Sequence, residues 1–269
     1  MLSFICVMKK YGLIGFPLGH SFSEKYFTEK FTKAKLSNYQ YSLYPLKDIN
    51  DFPKLLAKDK ELYGINVTIP HKIEVMKFLD EVDSAAKEIG AVNCIKILHG
   101  DTVKSLFSGE LCTFNPNKFK LIGYNTDAYG FDTSIAPFLK SHHQKALILG
   151  NGGAARAIKY VLKQRNIAFK FVSRKPEKDM FSYDDLNEDI LNEYQVIINT
   201  TPLGTYPKED TFPDIPYEFL TNKHLLFDLV YNPEETIFLK KGKEKGAAIK
   251  NGYQMLELQA EKSWEIWHS

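Results

Sequence analysis

The sequence predicts an α/β protein of two lobes, the second built on a doubly wound parallel sheet. Three observations carry that expectation. Short apolar runs alternate with stretches of helical period along most of the chain. One run, Lys145-Ala146-Leu147-Ile148-Leu149, breaks directly into Gly150-Asn151-Gly152-Gly153-Ala154-Ala155. And 269 residues exceed the roughly 100 to 200 of a single α/β unit. Alternation implies parallel pairing because each return to the same edge of a sheet needs a crossover, usually a helix.

In the front half, residues 11–16, 39–45 and 64–69 read as strands, and residues 23–34 and 51–58 as helices. Beyond Pro70 the spacing of Val75, Phe78 and Leu79 predicts another helix, and residues 83–89 a short one closed by Gly90 as C-cap. Residues 91–97 and 120–124 read as strands. Between them, residues 98–119 hold Gly100, Gly109, Asn115, Pro116 and Asn117, turn-forming types in a stretch long for a strand connection. A helix over 129–139 follows. In the rear half the expected elements are a strand up to Gly150, a helix over 155–165, a strand over 168–172, a helix around 183–186, and strands over 196–199 and 225–229. The lysine-rich run 240–245 reads as a solvated helix face or turn. A terminal helix over 253–267, carrying Leu256, Trp264 and Trp267, is expected to pack back on the first lobe. The domains are placed at 1–125 with 252–269, and at 126–251, with a cleft between them.

Charge narrows the partners. The 35 basic and 33 acidic residues are interspersed, so no basic stripe addresses nucleic acid or a membrane, and a small molecule is the expected ligand. Cys6, Cys94 and Cys112 show no metal-binding or disulfide spacing, which fits a reducing compartment and no metal. The apolar opening 2–7 is too short for a signal peptide or a span and reads as a strand extension. A cytoplasmic protein, monomeric or homodimeric, is expected.

The chemistry begins at the glycine run. Gly150-x-Gly152-x-x-Ala155 after a buried strand and before a helix leaves backbone N–H groups free at a positive helix end, where a pyrophosphate binds; Gly150, Asn151, Gly152, Gly153 and Ala154 are the candidate contacts. The competing reading is a turn whose glycines only permit tight packing. At the end of the following strand stand Ser173, Arg174 and Lys175. Two cations there suit the 2′-phosphate of NADP(H), whereas NAD would call for a carboxylate; otherwise Arg174 is a solvated strand-end residue. Thr200, in Asn199-Thr200-Thr201-Pro202-Leu203-Gly204, ends a strand on the carboxyl edge where ligands bind. In the front half Ser21 and Ser23 are either ligand-binding hydroxyls or helix N-caps. Thr68, Asn93 and Asn125 are neutral hydrogen-bonding groups near strand ends, suited to a polyhydroxylated ligand. Lys72 and Asp127 form a candidate proton-handling pair, with His20 and His71 as rival acid–base groups.

The ordered set GFPLGHSFS, NVTIPHK, GAVNC, GYNTDAYG, GNGGAAR, NTTPLG, FDLVYNP and GYQMLELQA resembles the shikimate dehydrogenase family over residues 10–267. The resemblance implies a two-lobed enzyme with a Rossmann-like cofactor lobe that reversibly reduces 3-dehydroshikimate to shikimate with NADPH, in aromatic amino-acid (chorismate) biosynthesis. It assigns substrate contacts to Ser21, Ser23, Thr68, Asn93, Tyr231 and Gln259, and catalysis to Lys72 and Asp127. Leu229 and Gly252 match positions that approach the nicotinamide. The chain departs from the family in having Ser173-Arg174-Lys175 where Asn-Arg-Thr is common, and in its long 98–119 stretch. The alternatives are a quinate/shikimate dehydrogenase with relaxed substrate or NAD use, a catalytically silent metabolite-binding module, and a folate-type dehydrogenase.

Overall fold

In a computed structural model that describes residues 8–19, 21–99 and 119–269, the chain divides into two units, Met1–Thr126 with Ala260–Ser269, and Asp127–Gln259. The expected divisions were 125/126 and 251/252. The 2–7 strand extension, His20, Cys6, Cys112 and the turn residues 100–117 lie outside the described residues.

The first unit is a six-stranded mixed sheet ordered β2-β1-β3-β5-β6-β4. Its strands are β1 (Lys9–Gly15), β2 (Tyr39–Pro45), β3 (Leu62–Val67), β4 (Glu81–Val82), β5 (Cys94–His99) and β6 (Phe119–Tyr124). β1 runs parallel to β2 and β3, whereas β5 is antiparallel to both β3 and β6. Five successive residues of β1 are buried, Tyr11 to Gly15; a strand covered on both faces needs apolar or small residues without alternation. One face packs Ile14, Phe52, Ile65 and Val67, with α2 (Phe52–Lys58) and α3 (Ser84–Ile89). The other packs Phe27 and Phe31 of α1 (Phe22–Lys33) with Tyr11, Tyr41 and Trp267. A Cβ on Gly64 would lie 2.4 Å from Trp267 Nε1, and that nitrogen donates to the Ile95 carbonyl at 3.0 Å. The terminal helix thus closes on this sheet through an indole seated where one residue lacks a side chain.

The second unit is an all-parallel five-stranded sheet ordered β11-β10-β9-β7-β8, with β7 (Lys145–Leu149), β8 (Ala168–Val172), β9 (Val196–Asn199), β10 (Leu225–Asp228) and β11 (Ala248–Lys250). Its helices are α4 (Thr126–Ile135), α5 (Gly153–Gln164), α6 (Glu188–Glu193), α7 (Ile237–Glu244) and α8 (Tyr253–His268), of which Thr126 and Ala260–His268 fall in the first unit. The chain leaves β7 for β8 on one side and returns to β9 on the other. That reversal creates a switch point at the carboxyl end of β7, the crevice where open α/β sheets bind ligands.

Two local expectations are corrected. Residues 74–78 form a 3-10 turn rather than an α-helix. No helix covers 183–186: Leu186 is drawn into the core, and the helix starts later, at Glu188, where the Asn187 side chain accepts from Ile190 N at 3.0 Å. The lysine-rich run lies on α7, the expected solvated helix face, with Lys240, Lys243 and Glu244 exposed; α7 buries Phe238 and Leu239 and is followed by β11, for which no strand was expected. No helix among the described residues is long and apolar enough to cross a membrane.

Candidate active site

In the first unit Thr68 and Asn93 flank strand ends, and Ser21 and Ser23 open α1. The β1–β3 pairing continues into both following loops, through Thr68 N to Ile14 O at 2.9 Å and Phe16 N to Ile69 O at 3.1 Å. The loop carrying Ser21 and the loop carrying Thr68 and Lys72 therefore run side by side. Of the two serines Ser21 is the helix cap, accepting from Glu24 N at 3.5 Å; Ser23 lies in the first turn of α1. Lys72 is half-buried, its backbone pinned by a 2.7 Å bond from Val92 N to Lys72 O. His71 next to it is 4% exposed, with Nε2 2.5 Å from the Leu46 carbonyl. One ring nitrogen is thus committed to the backbone, which weakens the case for His71 as the acid–base group.

Asn93 is buried, and both ends of its amide are engaged: Oδ1 accepts from Thr126 N at 2.7 Å, and Nδ2 donates to Thr126 Oγ1 at 3.0 Å. It thereby caps α4, satisfying a first-turn N–H that the helix cannot. Behind it, Asn66 Nδ2 donates to Ser263 Oγ at 2.9 Å, and Asn66 Oδ1 accepts from Tyr41 at 2.9 Å. Tyr41, Asn66, Thr126 and Ser263 escaped sequence reasoning because each is an ordinary polar residue in sequence and becomes informative only when packing removes water from it. Asn125, expected near a ligand, donates to the Ala91 carbonyl at 3.0 Å.

In the second unit Asp127 is buried in the first turn of α4, where a carboxylate complements the positive helix end. Gln259 lies on α8, against the same helix: a Cβ on Gly130 would stand 3.3 Å from Gln259 N and 2.5 Å from Met255 O. Tyr231 is half-buried, and desolvation holds its phenol above the usual range, keeping it a neutral donor.

The glycine turn has the conformation a dinucleotide needs. Gly150 has φ +95°, in the region that favours glycine. Gly152 caps α5 with no side-chain hydrogen bond, and a Cβ on Gly152 or Gly153 would meet nothing within 4 Å. Open space above uncapped first-turn N–H groups is what a pyrophosphate fills. Asn151 is exposed and Ala154 half-buried beside it. Thr200 Oγ1 donates to Leu149 O at 2.7 Å, so that hydroxyl is spent on the turn itself. At the end of β8, Arg174 and Lys175 are exposed, while the Ser173 hydroxyl is used locally, with Lys175 N donating to it at 3.2 Å. The residues present fit NADP(H).

Beneath the next two strand ends lies Asp228, fully buried. It accepts from Thr236 Oγ1 at 2.6 Å, Asn199 Nδ2 at 2.9 Å and Val230 N at 3.0 Å. Burial nevertheless dominates and raises its pKa to about 6. A carboxyl whose folded value exceeds its ordinary 3.8 stabilises the fold fully below that ordinary value and loses the contribution as pH rises through about 6. Between pH 4 and 6 the stability of the wild type is therefore expected to fall by about 2–3 kcal/mol relative to Asp228→Asn. Urea unfolding of both proteins across that range checks this; parallel pH profiles would refute it.

Fold and geometry together define a two-unit α/β protein whose second unit carries a dinucleotide-type strand–turn–helix at a switch point. Residues 13–95 match the family described as the shikimate dehydrogenase substrate binding domain. The chain is 37% identical to a shikimate dehydrogenase (NADP(+)) of Methanococcus aeolicus, covering 96% of this chain and 91% of the relative. With the enzyme of the same name from Clostridium beijerinckii it shares 38%, covering 97% and 92%. A solved shikimate dehydrogenase in complex with NADP+ superposes with TM-score 0.75 at 34% identity, covering 97% of this chain and 90% of that one. The chain belongs to the shikimate dehydrogenase family.

Proposed function

We propose that this protein catalyses the reversible reduction of 3-dehydroshikimate to shikimate with NADPH, as a step of chorismate biosynthesis. The observation that carries the reading is the uncapped Gly150–Gly153 turn at the switch point, with Arg174 and Lys175 exposed at the end of the neighbouring strand. Residues 126–251 are assigned to the cofactor, and residues 1–125 with 252–269 to the substrate.

When bound, the reduced nicotinamide supplies a hydride to the ketone carbon. The ketone oxygen then needs one proton, and Lys72 donates it; in the oxidation direction the neutral amine accepts it back. Asp127 is assigned to a substrate hydroxyl. Ser21 and Ser23 hold the carboxylate through neutral hydrogen bonds, while Thr68, Asn93, Tyr231 and Gln259 hold hydroxyls. A site built to pair each polar group rejects analogues that lack one, because its own donors are then left buried and unsatisfied. Leu229 and Gly252 line the nicotinamide side, and Arg174 with Lys175 the 2′-phosphate.

The reading is tested by adding 3-dehydroshikimate to enzyme and NADPH and following the loss of nicotinamide absorbance; an unchanged signal sinks it. For Arg174→Ala, KM for NADPH is expected to rise about tenfold or more through loss of a charge-assisted bond, with KM for NADH nearly unchanged. An equal change for both cofactors would remove Arg174 from phosphate recognition. The protein is placed in the cytoplasm, as a monomer or homodimer; sedimentation velocity distinguishes the two states.

A further inference from the structure

The buried carboxylate of Asp228 has no part in the chemistry above, yet it costs stability whenever it is charged. Its partners show what it organises. Asn199 gives Asp228 its amide N–H and uses the opposite end, Oδ1, to accept from Thr201 N at 3.0 Å and Thr201 Oγ1 at 2.6 Å. Thr201 in turn stands against the glycine turn: its Cγ2 is 3.0 Å from where a Cβ on Gly150 would be. On the other side the carboxylate holds Val230 N, and the Val230 carbonyl accepts from Gly252 N at 3.1 Å. Thr236, the third donor, caps α7 by accepting from Leu239 N at 3.4 Å. One side chain therefore ties three segments that leave the carboxyl edge of the sheet: residues 199–204, residues 229–230 and the start of α7.

We propose that Asp228 is a positioning residue for the cofactor, fixing the Thr200–Thr201 loop and the Leu229–Val230 turn so that the nucleotide-binding edge is preformed. This rests on the dinucleotide reading of that edge. The carboxylate acts through its neighbours and touches neither substrate nor cofactor. Three inward-pointing donors converge on it, and only an ionised carboxyl accepts all of them without a proton of its own. An amide at this position keeps the shape but turns an N–H₂ toward one of those donors.

The experiment compares wild type with Asp228→Asn and Thr201→Val as full-length proteins. The readouts are KM for NADPH and for 3-dehydroshikimate, NADPH affinity by nicotinamide fluorescence, and the urea midpoint at pH 8. Asp228→Asn is expected to match or exceed the wild-type midpoint, because a buried charge is removed, while KM and Kd for NADPH rise about tenfold. KM for 3-dehydroshikimate should stay within about twofold. Thr201→Val, which cuts the far end of the relay, should shift NADPH in the same direction by a smaller factor. A purely structural role would move the midpoint and leave the cofactor constants alone, so two folded variants with wild-type NADPH affinity overturn the proposal. Should Asp228→Asn fail to fold, an unchanged NADPH affinity in Thr201→Val overturns it equally. Wild type that does not bind NADPH at all defeats the dinucleotide reading instead, and the two failures are thereby told apart.

Discussion

Replacing Lys72 by alanine is expected to lower kcat by about 10²- to 10⁴-fold, the range a positioned general acid contributes, with a far smaller change in KM. Reduction of a ketone leaves an oxygen that must be protonated, and the donor has to be ionisable and held in place. Lys72 meets both requirements: its carbonyl is fixed by Val92 N, and the loop that carries it is zipped to the end of β1. The adjacent histidine fits the role less well, because His71 is buried and bonded to the Leu46 carbonyl. Steady-state kinetics on Lys72→Ala and His71→Ala, with NADPH binding as a control for folding, separates the candidates. A kcat near normal in the lysine variant would remove Lys72 from the mechanism; a collapse in the histidine variant alone would hand the role to His71.

Gly252→Ala should cost both stability and catalysis. A Cβ at that position would lie 2.2 Å from Leu229 O and 2.7 Å from Leu229 C, and these are backbone atoms, which cannot swing aside as a flexible side chain can. Either the end of β10 or the start of α8 must move. Overpacking of this kind costs about 1–3 kcal/mol, and a displacement near 1 Å at a reacting centre costs on the order of 10²-fold in rate. Because Leu229 N is itself bonded to Asn199 O at 3.0 Å, the shift would propagate into the Thr200 loop. The prediction is a lowered urea midpoint together with kcat/KM for NADPH reduced by about 10²-fold. A variant with wild-type stability and kinetics would mean that the contact relaxes freely and that Gly252 has no special place beside the nicotinamide.

Much of the architecture was legible in advance for an identifiable reason. The strands at Lys9–Gly15, Tyr39–Pro45 and Ala168–Val172 are short runs rich in aromatic and aliphatic residues, and helix α3 is bracketed by its own caps, Asp83 and Gly90. Those signals are local. The misreadings occurred where local preference was weak and burial decided. Around 183–186 the residues would tolerate a helix, but Leu186 is taken by the core and the Asn187 cap starts the helix further on. The lysines of 240–245 fall on the expected helix, α7, and buried Phe238, Leu239 and Gly242 set its place.

For the site the division is similar. Sequence alone determined the conformation-limited parts: a glycine at Gly150 where φ is positive, a helix begun by glycines with no side-chain cap, a lysine at position 72 and cations at 174 and 175. Those are properties of residue type at a chain position. Tertiary structure alone decided which polar groups lost their water: that Asn93 caps α4, that His71 faces a carbonyl, and that Asp228 gathers three donors at the carboxyl edge of the second sheet. Hydrogen-bonding capacity is written in the side chain, but its energetic weight depends on burial, and burial is set by segments far apart in the chain.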